Sequence, residues 1–273
     1  MTQHDIPAPV DHGADAYDRL APSMWNPMGN AVAAAADILV GERVLDAFAA
    51  TGAATIPAAQ QTGPEGYVDA VDPEEGLIGL ARGKAQAMSL RNVRFAVAEP
   101  SAWVGADPYD AALSCYPLPR VESLSALAIR IAGLLRPAGR WSLSTWQQDS
   151  FEPFEDLLLK ACLAGSSERE DPTLSMAREH RRIIGSPEGL AGLLEANGFA
   201  DISVESVPLS VSLDEDLAWS LVCGSAYRKY LPASSTQTLR VRERFLESLG
   251  GTYNLTADSL VAVGRAASTM PVR

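Results

Sequence analysis

The sequence predicts a doubly wound, mostly parallel α/β sheet, and three observations carry that reading. Short apolar runs alternate with helix-forming stretches from residue 43 to residue 145, the rhythm of strand and crossover helix. The runs are apolar almost throughout rather than at every second position, as strands covered by helices on both faces require. Between the first two runs lies a turn of small residues, Ala47-Phe48-Ala49-Ala50-Thr51-Gly52, and the second run ends in a carboxylate, Asp72, about 20 residues past Gly52.

Residues 1–13 are polar and Pro-containing and read as a disordered tail. Helices are expected at 14–20 and 30–39, separated by the turn-rich Pro22-Ser23-Met24-Trp25-Asn26-Pro27, with Asn30 as N-cap of the second and Gly41 as its stop. Strands follow at 43–48, 66–71, 93–98, 110–114 and 140–145, with helices at 53–61, 74–89 and 121–135 between them. Beyond Trp146 the rhythm changes. An amphipathic helix is expected at 151–164 and a polar loop at 165–173. Ser186-Pro187-Glu188 starts a helix that Gly198 stops, because serine caps the first turn and proline needs no hydrogen-bond acceptor there. A strand at 202–213, helices at 214–230 and 235–249, and a last strand at 259–265 complete the chain. No repeat or long linker divides it, so we expect one structural domain in three parts: 1–40 as tail and lid helices, 41–147 as the core, and 148–273 as further lid helices and the completion of the sheet.

Thirty-four acidic against twenty-two basic residues give a net charge of −12, and no basic cluster interrupts it. Such a surface repels polyanions, which argues against nucleic acid as a partner and leaves small neutral or cationic ligands. Cys115, Cys162 and Cys223 are too scattered for a metal knuckle or a disulfide framework and read as reduced thiols. The N-terminus lacks a basic-then-apolar leader, and no apolar run approaches the roughly 18 residues that span a bilayer. We expect a cytoplasmic protein with no membrane partner and no metal site.

A small-residue turn followed by an acid at the end of the next strand suits a nucleoside ligand, because backbone can approach it closely and a carboxylate can grip a ribose diol. Asp72 offers two acceptor oxygens for that diol; before Pro73 it also fits a helix cap, and the two roles are compatible. Asp69 points to the opposite face of a regular strand. Asp46, at the end of the first strand, can cap the turn or face a ligand. Tyr116 and Trp146 follow the fourth and fifth strands at the carboxyl edge, where open α/β sheets bind ligands. Tyr17 and Trp25 can pack the first helices or wall the same pocket. His180 is the general-base candidate by elimination, set in the charged run Arg178-Glu179-His180-Arg181-Arg182, which equally reads as a solvated helix face. Arg181 and Arg182 could clamp a substrate carboxylate or phosphate, or lie on the surface.

Taken in order, four segments resemble the motifs of class I S-adenosylmethionine (SAM)-dependent methyltransferases: Val44-Leu45-Asp46 with its turn, Val71-Asp72-Pro73 with Leu77, Asn92 to Ala102, and Tyr109 to Ser114, followed by Leu134-Leu135-Arg136-Pro137-Ala138-Gly139-Arg140. Tyr17-Asp18-Arg19-Leu20-Ala21-Pro22 with Trp25 is similar to the opening of the small-molecule group around ubiquinone and menaquinone biosynthesis. The resemblance implies a Rossmann-like fold with an antiparallel final strand, a lid insertion after the fifth strand, and methyl transfer from SAM to a small organic acceptor. It implies cofactor contacts at Asp46, Phe48, Ala50 and Gly52 near the methionyl group, Asp72 and Pro73 at the ribose, Glu99, Pro100 and Ser101 at the adenine, and Ser114. Tyr17, Trp25, Tyr116 and Trp146 fall to the substrate pocket. A homodimer is compatible with the Ala-rich second helix.

One departure stands out. The family turn reads Asp-x-Gly-x-Gly-x-Gly, and its glycine positions here hold Phe48, Ala50 and Gly52. The Phe48 ring must enter either the sheet–helix packing or the methionyl pocket, where it would block SAM. The second outcome would make this a non-methylating relative, an auxiliary subunit or a repurposed enzyme with weakened or lost SAM binding. A nicotinamide-dependent oxidoreductase ranks lower, since Gly-x-Gly-x-x-Gly should follow the first strand directly and only Gly52 is present.

Overall fold

The computed structural model describes residues 13–117, 121, 123–164, 178–179 and 181–267. Its centre is a seven-stranded sheet built from β1 (Arg43–Ala47), β2 (Tyr67–Asp72), β3 (Val93–Val97), β4 (Tyr109–Ser114), β5 (Leu135–Trp146), β6 (Phe199–Val207) and β9 (Ser259–Ala266). The order is β3-β2-β1-β4-β5-β9-β6, parallel from β3 to β5, with β9 antiparallel to both its neighbours. The chain reverses direction across the sheet between β1 and β4, and such a switch point opens a crevice at the carboxyl ends of the strands.

Successive side chains on a strand face opposite sides, and the core follows that alternation. Val44, Val68, Ala111 and Leu113 pack into one apolar cluster; Leu45, Ala112 and Leu143 pack into a second on the other face. The first is covered by α2 (Asn26–Ala35), α3 (Thr55–Thr62), α6 (Glu152–Leu163), α8 (Glu215–Gly224) and α9 (Ser235–Leu249); the second by α5 (Leu124–Leu134) and α7 (Pro187–Ala196). The remaining crossover helix, α4 (Glu75–Ala87), joins β2 to β3.

The segment 22–27, expected as a turn, is helical. Helix α1 (Gly13–Arg19) leads into a π-helical turn, Ala21–Trp25, that runs directly into α2. Pro22 and Pro27 each occupy a first-turn position, where their missing N–H costs nothing. The indole N–H of Trp25 donates to the Tyr17 carbonyl at 2.7 Å and locks the junction. The strand expected at 202–213 is two strands. Pro208, which has no N–H to donate, separates β6 from β7 (Ser210–Leu213), and β7 leaves the main sheet to pair with β8 (Tyr253–Thr256). The helix expected at 214–230 breaks after Gly224, where extended Ser225 starts a 3₁₀ turn, Ala226–Tyr230. Strand β5 begins earlier than expected, at Leu135, with an irregular register against β4 around left-handed Ala138. Among the described residues, no helix is long and apolar enough to cross a membrane.

Candidate active site

The turn after β1 keeps a glycine-like backbone without the glycines. Phe48, Ala50 and Gly52 all have positive φ, 70°, 45° and 87°. The N–H groups of Phe48 and Ala49 both donate to the Val71 carbonyl, and that of Ala50 donates to Asp72 Oδ2 at 2.9 Å. Asp72 Oδ1 accepts from the Glu74 N–H at 3.0 Å, so this fully buried carboxylate braces the turn and the entry to α4 together. The Phe48 ring is 2% exposed and joins the cluster of Leu45, Val71, Leu124 and Leu127, on the sheet face covered by α5 and α7. It therefore lies in the sheet–helix packing.

Asp46 is fully buried. The Thr55 hydroxyl donates to its Oδ2 at 2.5 Å, while Oδ1 has no hydrogen-bond partner. Burial, opposed by the Thr55 bond and reinforced by the charge on Asp72, pushes its carboxyl up to about 7. An acceptor oxygen with no donor, in a site that costs so much to ionise, is what a cationic ligand group would complete. Asp69, on the opposite face, is tied to Arg94 and to the Tyr109 hydroxyl.

A cavity of about 640 Å³ opens at the carboxyl edge of the sheet. Pro73, Glu74 and Glu99, at the ends of β2 and β3, line one part of it, and Tyr17, Trp25, Tyr116, Trp146, Phe151 and Tyr227 are among its other lining residues. The four aromatic residues expected at the substrate pocket thus share one wall. Tyr116 has a positive φ of 50°, its N–H donates to Ser144 Oγ, and its hydroxyl is 2.7 Å from Ser259 Oγ. Tyr17 is brought in by α1, which packs so tightly on α8 that a Cβ on Gly224 would sit 2.3 Å from the Tyr17 backbone nitrogen.

Other expected site residues lie elsewhere. Asp46, Phe48, Ala50 and Asp72 are buried and, like Gly52, do not line the cavity. Buried Ser114 accepts from the Trp141 indole at 3.1 Å, which turns it into the core. Pro100 is buried and Ser101 exposed in the short 3₁₀ turn after Glu99, and neither lines the cavity. His180 lies outside the described residues. Of the paired arginines, Arg182 makes an exposed pair with Glu179, whereas Arg181 lines the cavity.

Sequence reading missed Glu155. This buried carboxylate on α6 accepts two bonds from Arg181, at 2.7 and 2.5 Å, and one from the Tyr227 hydroxyl at 2.6 Å, with Arg178 at 3.4 Å. Its position among Glu152 and Asp156 gave no sign of burial; the signal was Leu158, one turn on and on the same helical face. Cys115 and Cys223 also line the cavity. Burial pushes the Cys115 thiol up to about 12 and raises Cys223, so neither is a thiolate near neutrality. Among the described residues, no group of His, Cys, Asp and Glu could hold a metal ion.

A protein-family model described as a methyltransferase domain matches residues 17–204. Aklanonic acid methyltransferase DauC of Streptomyces sp. (strain C5) is 27% identical over 197 residues, covering 70% of this chain and 89% of that protein. Nocamycin O-methyltransferase of Saccharothrix syringae is 26% identical over 208 residues, covering 70% and 71%. Among solved structures, the YcgJ protein of Bacillus subtilis superposes with a TM-score of 0.58 at 16% identity, covering 89% of this chain and 99% of that one, a likeness of fold. With the strand order, the braced turn after β1 and the crevice at the switch point, the match over most of the chain decides the family: this protein belongs to the SAM-dependent methyltransferases.

Proposed function

We propose that this protein moves a methyl group from SAM to an oxygen atom of a small organic acceptor held beneath its lid. The observation that carries this reading is the continuity of one cavity from the acids at the ends of β2 and β3 to the aromatic wall under the lid. Oxygen as the methylated atom draws support from the name of the Saccharothrix relative, and a carboxylic acid as acceptor from that of the Streptomyces relative.

SAM supplies a methyl group on a sulfonium, which an acceptor can displace in line. The residues of the chain fit that ligand in three places. Asp46 Oδ1, a buried acceptor with no donor, matches the methionyl ammonium, directly or through water. Glu74 and Glu99 offer carboxylates to the ribose and adenine, while Asp72 holds the turn in its left-handed shape from below. The rings of Trp25, Tyr116 and Trp146 favour a cation over their faces and keep water from the reacting atoms. In this reading residues 41–147 carry the donor, and 13–40 with 148–267 close over the acceptor.

Titration calorimetry with SAM and S-adenosylhomocysteine tests it. We expect roughly micromolar binding. Glu99 is exposed, so Glu99→Gln should leave the fold intact and weaken binding about tenfold, the worth of one charge-assisted hydrogen bond. Asp72→Ala is less informative, because it also frees the turn. A folded protein that binds neither ligand would end the reading.

A further inference from the structure

We propose that the acceptor side of this cavity is built for a flat aromatic anion, a fused-ring or biaryl scaffold bearing a carboxylate or phenolate. The inference rests on the proposed function only in leaving the Glu74–Glu99 end of the cavity, with the ring atoms nearest the sulfonium, to the methyl donor.

Its first support is an unbroken run of aromatic rings. Tyr17 stacks on Trp25 at 4.5 Å between centroids, and Tyr116 stacks on Trp146 at 3.6 Å. Trp25 meets Tyr116 edge-on at 6.1 Å, Trp146 meets Phe151 edge-on at 4.6 Å, and Phe151 reaches Tyr227 at 6.3 Å. All six line the cavity, though they come from α1, the π-helical turn, the ends of β4 and β5, the approach to α6 and the turn after α8. A sulfonium occupies only the rings within about 6 Å of it, and Trp25, Tyr116 and Phe151 are nearly buried, so the half-buried rings of Tyr17, Trp146 and Tyr227 are what this wall offers to something larger and planar.

The second support is charge. The donor end of the cavity carries Glu74 and Glu99; the other end carries Arg181, whose charge Glu155 balances, with Arg228 and Lys229 in excess, against a net charge of −12 for the chain. Arg181 is held rigid by its two bonds to Glu155 and serves as a fixed wall, while exposed Arg228 and Lys229 stand where an anionic substituent would enter. Two ends of opposite sign orient an anionic acceptor with respect to a cationic donor.

The third is the kind of proton acceptor the wall provides. Glu155 already receives bonds from Arg181, Tyr227 and Arg178. Burial holds Tyr116 and Cys115 protonated. An acceptor that arrives ionised needs no base from this wall.

The test is calorimetry on the full chain saturated with S-adenosylhomocysteine, using 2-naphthoate, 2-naphthamide and trans-decalin-2-carboxylate. Naphthoate should bind tightest. The amide, lacking the charge, and the decalin acid, lacking the flat ring, should each bind about tenfold more weakly. The exposed pair R228Q/K229Q, checked for an unchanged melting curve, should abolish the preference for naphthoate over its amide. Trp146→Leu should abolish the preference for naphthoate over the decalin acid. Equal affinities among the three probes, or a charge preference that survives R228Q/K229Q, would overturn the proposal. Titration with S-adenosylhomocysteine alone reports on the donor site independently. If it fails to bind while naphthoate still does, the proposed function falls and the aromatic anion site stands.

Discussion

Phe48 and Ala50 hold backbone angles that cost an L-residue about 1–2 kcal/mol each relative to glycine. What offsets the cost is visible at each atom: two N–H groups on the Val71 carbonyl, one on Asp72, and a phenyl ring fully used in the core. Phe48→Gly would relieve the backbone but leave a void, so we expect a net loss of about 2–3 kcal/mol in chemical denaturation. The affinity for S-adenosylhomocysteine should not rise; a rise would mean the ring obstructs the ligand after all. Asp46 gives a prediction with a sign. Its folded carboxyl, at about 7, lies above the ordinary value of 3.8, so the folded state holds the proton more tightly than the unfolded one. Stability is therefore fully present below about pH 4 and is lost as pH rises towards 7, by at most about 1.4 kcal/mol per unit. Asp46→Asn should flatten that decline in melts taken from pH 4 to 8. A cationic ligand favours the ionised form, so binding should strengthen from pH 6 to 8 in the parent and not in the variant. None of this was readable from composition. The sequence located the acids and the odd phenylalanine; which way the ring turned depended on neighbours on β2 and α5.

At the level of elements, the strands at whose carboxyl ends the cavity opens were readable because each is a short apolar run whose residues alternate between two buried faces. The segments after β5 were harder, because their elements are defined by packing rather than periodicity. The region 202–213 looks like one strand until β8 is seen pairing with β7, and 214–230 looks like one helix until Gly224 meets α1. That contact is close enough to test. Gly224→Ala places a methyl group against the Tyr17 backbone and should cost about 1–3 kcal/mol by overpacking. Because it pushes on the element that carries Tyr17, it should also weaken aromatic ligands in calorimetry while leaving the far-ultraviolet spectrum unchanged. A variant with parental stability and affinity would show that α1 is free to shift.

On the scale of the whole molecule, Glu155 joins three otherwise separate segments of the chain: α6, the residues around Arg178 and Arg181, and the turn holding Tyr227. Glu155→Gln leaves the Arg181 guanidinium without its counter-charge in a mostly buried site. We expect about 3 kcal/mol of destabilisation and earlier cleavage between α6 and α7 in limited proteolysis, with the β1–β5 core cut last. Simultaneous loss of core and lid would argue against that division. Length, the strand–helix rhythm and the spacing of Asp46, Gly52 and Asp72 were enough to determine the sheet and the edge at which a cavity opens, because local periodicity and turn chemistry act over a few residues and are written in order along the chain. Tertiary structure alone decided that Phe48 packs inward, that Asp72 supports the turn from beneath, and that six rings and a buried ion pair from distant segments meet at one cavity. Those outcomes depend on which surfaces are brought together when the chain closes, and side chains more than a hundred positions apart carry no local mark of the partner they will find.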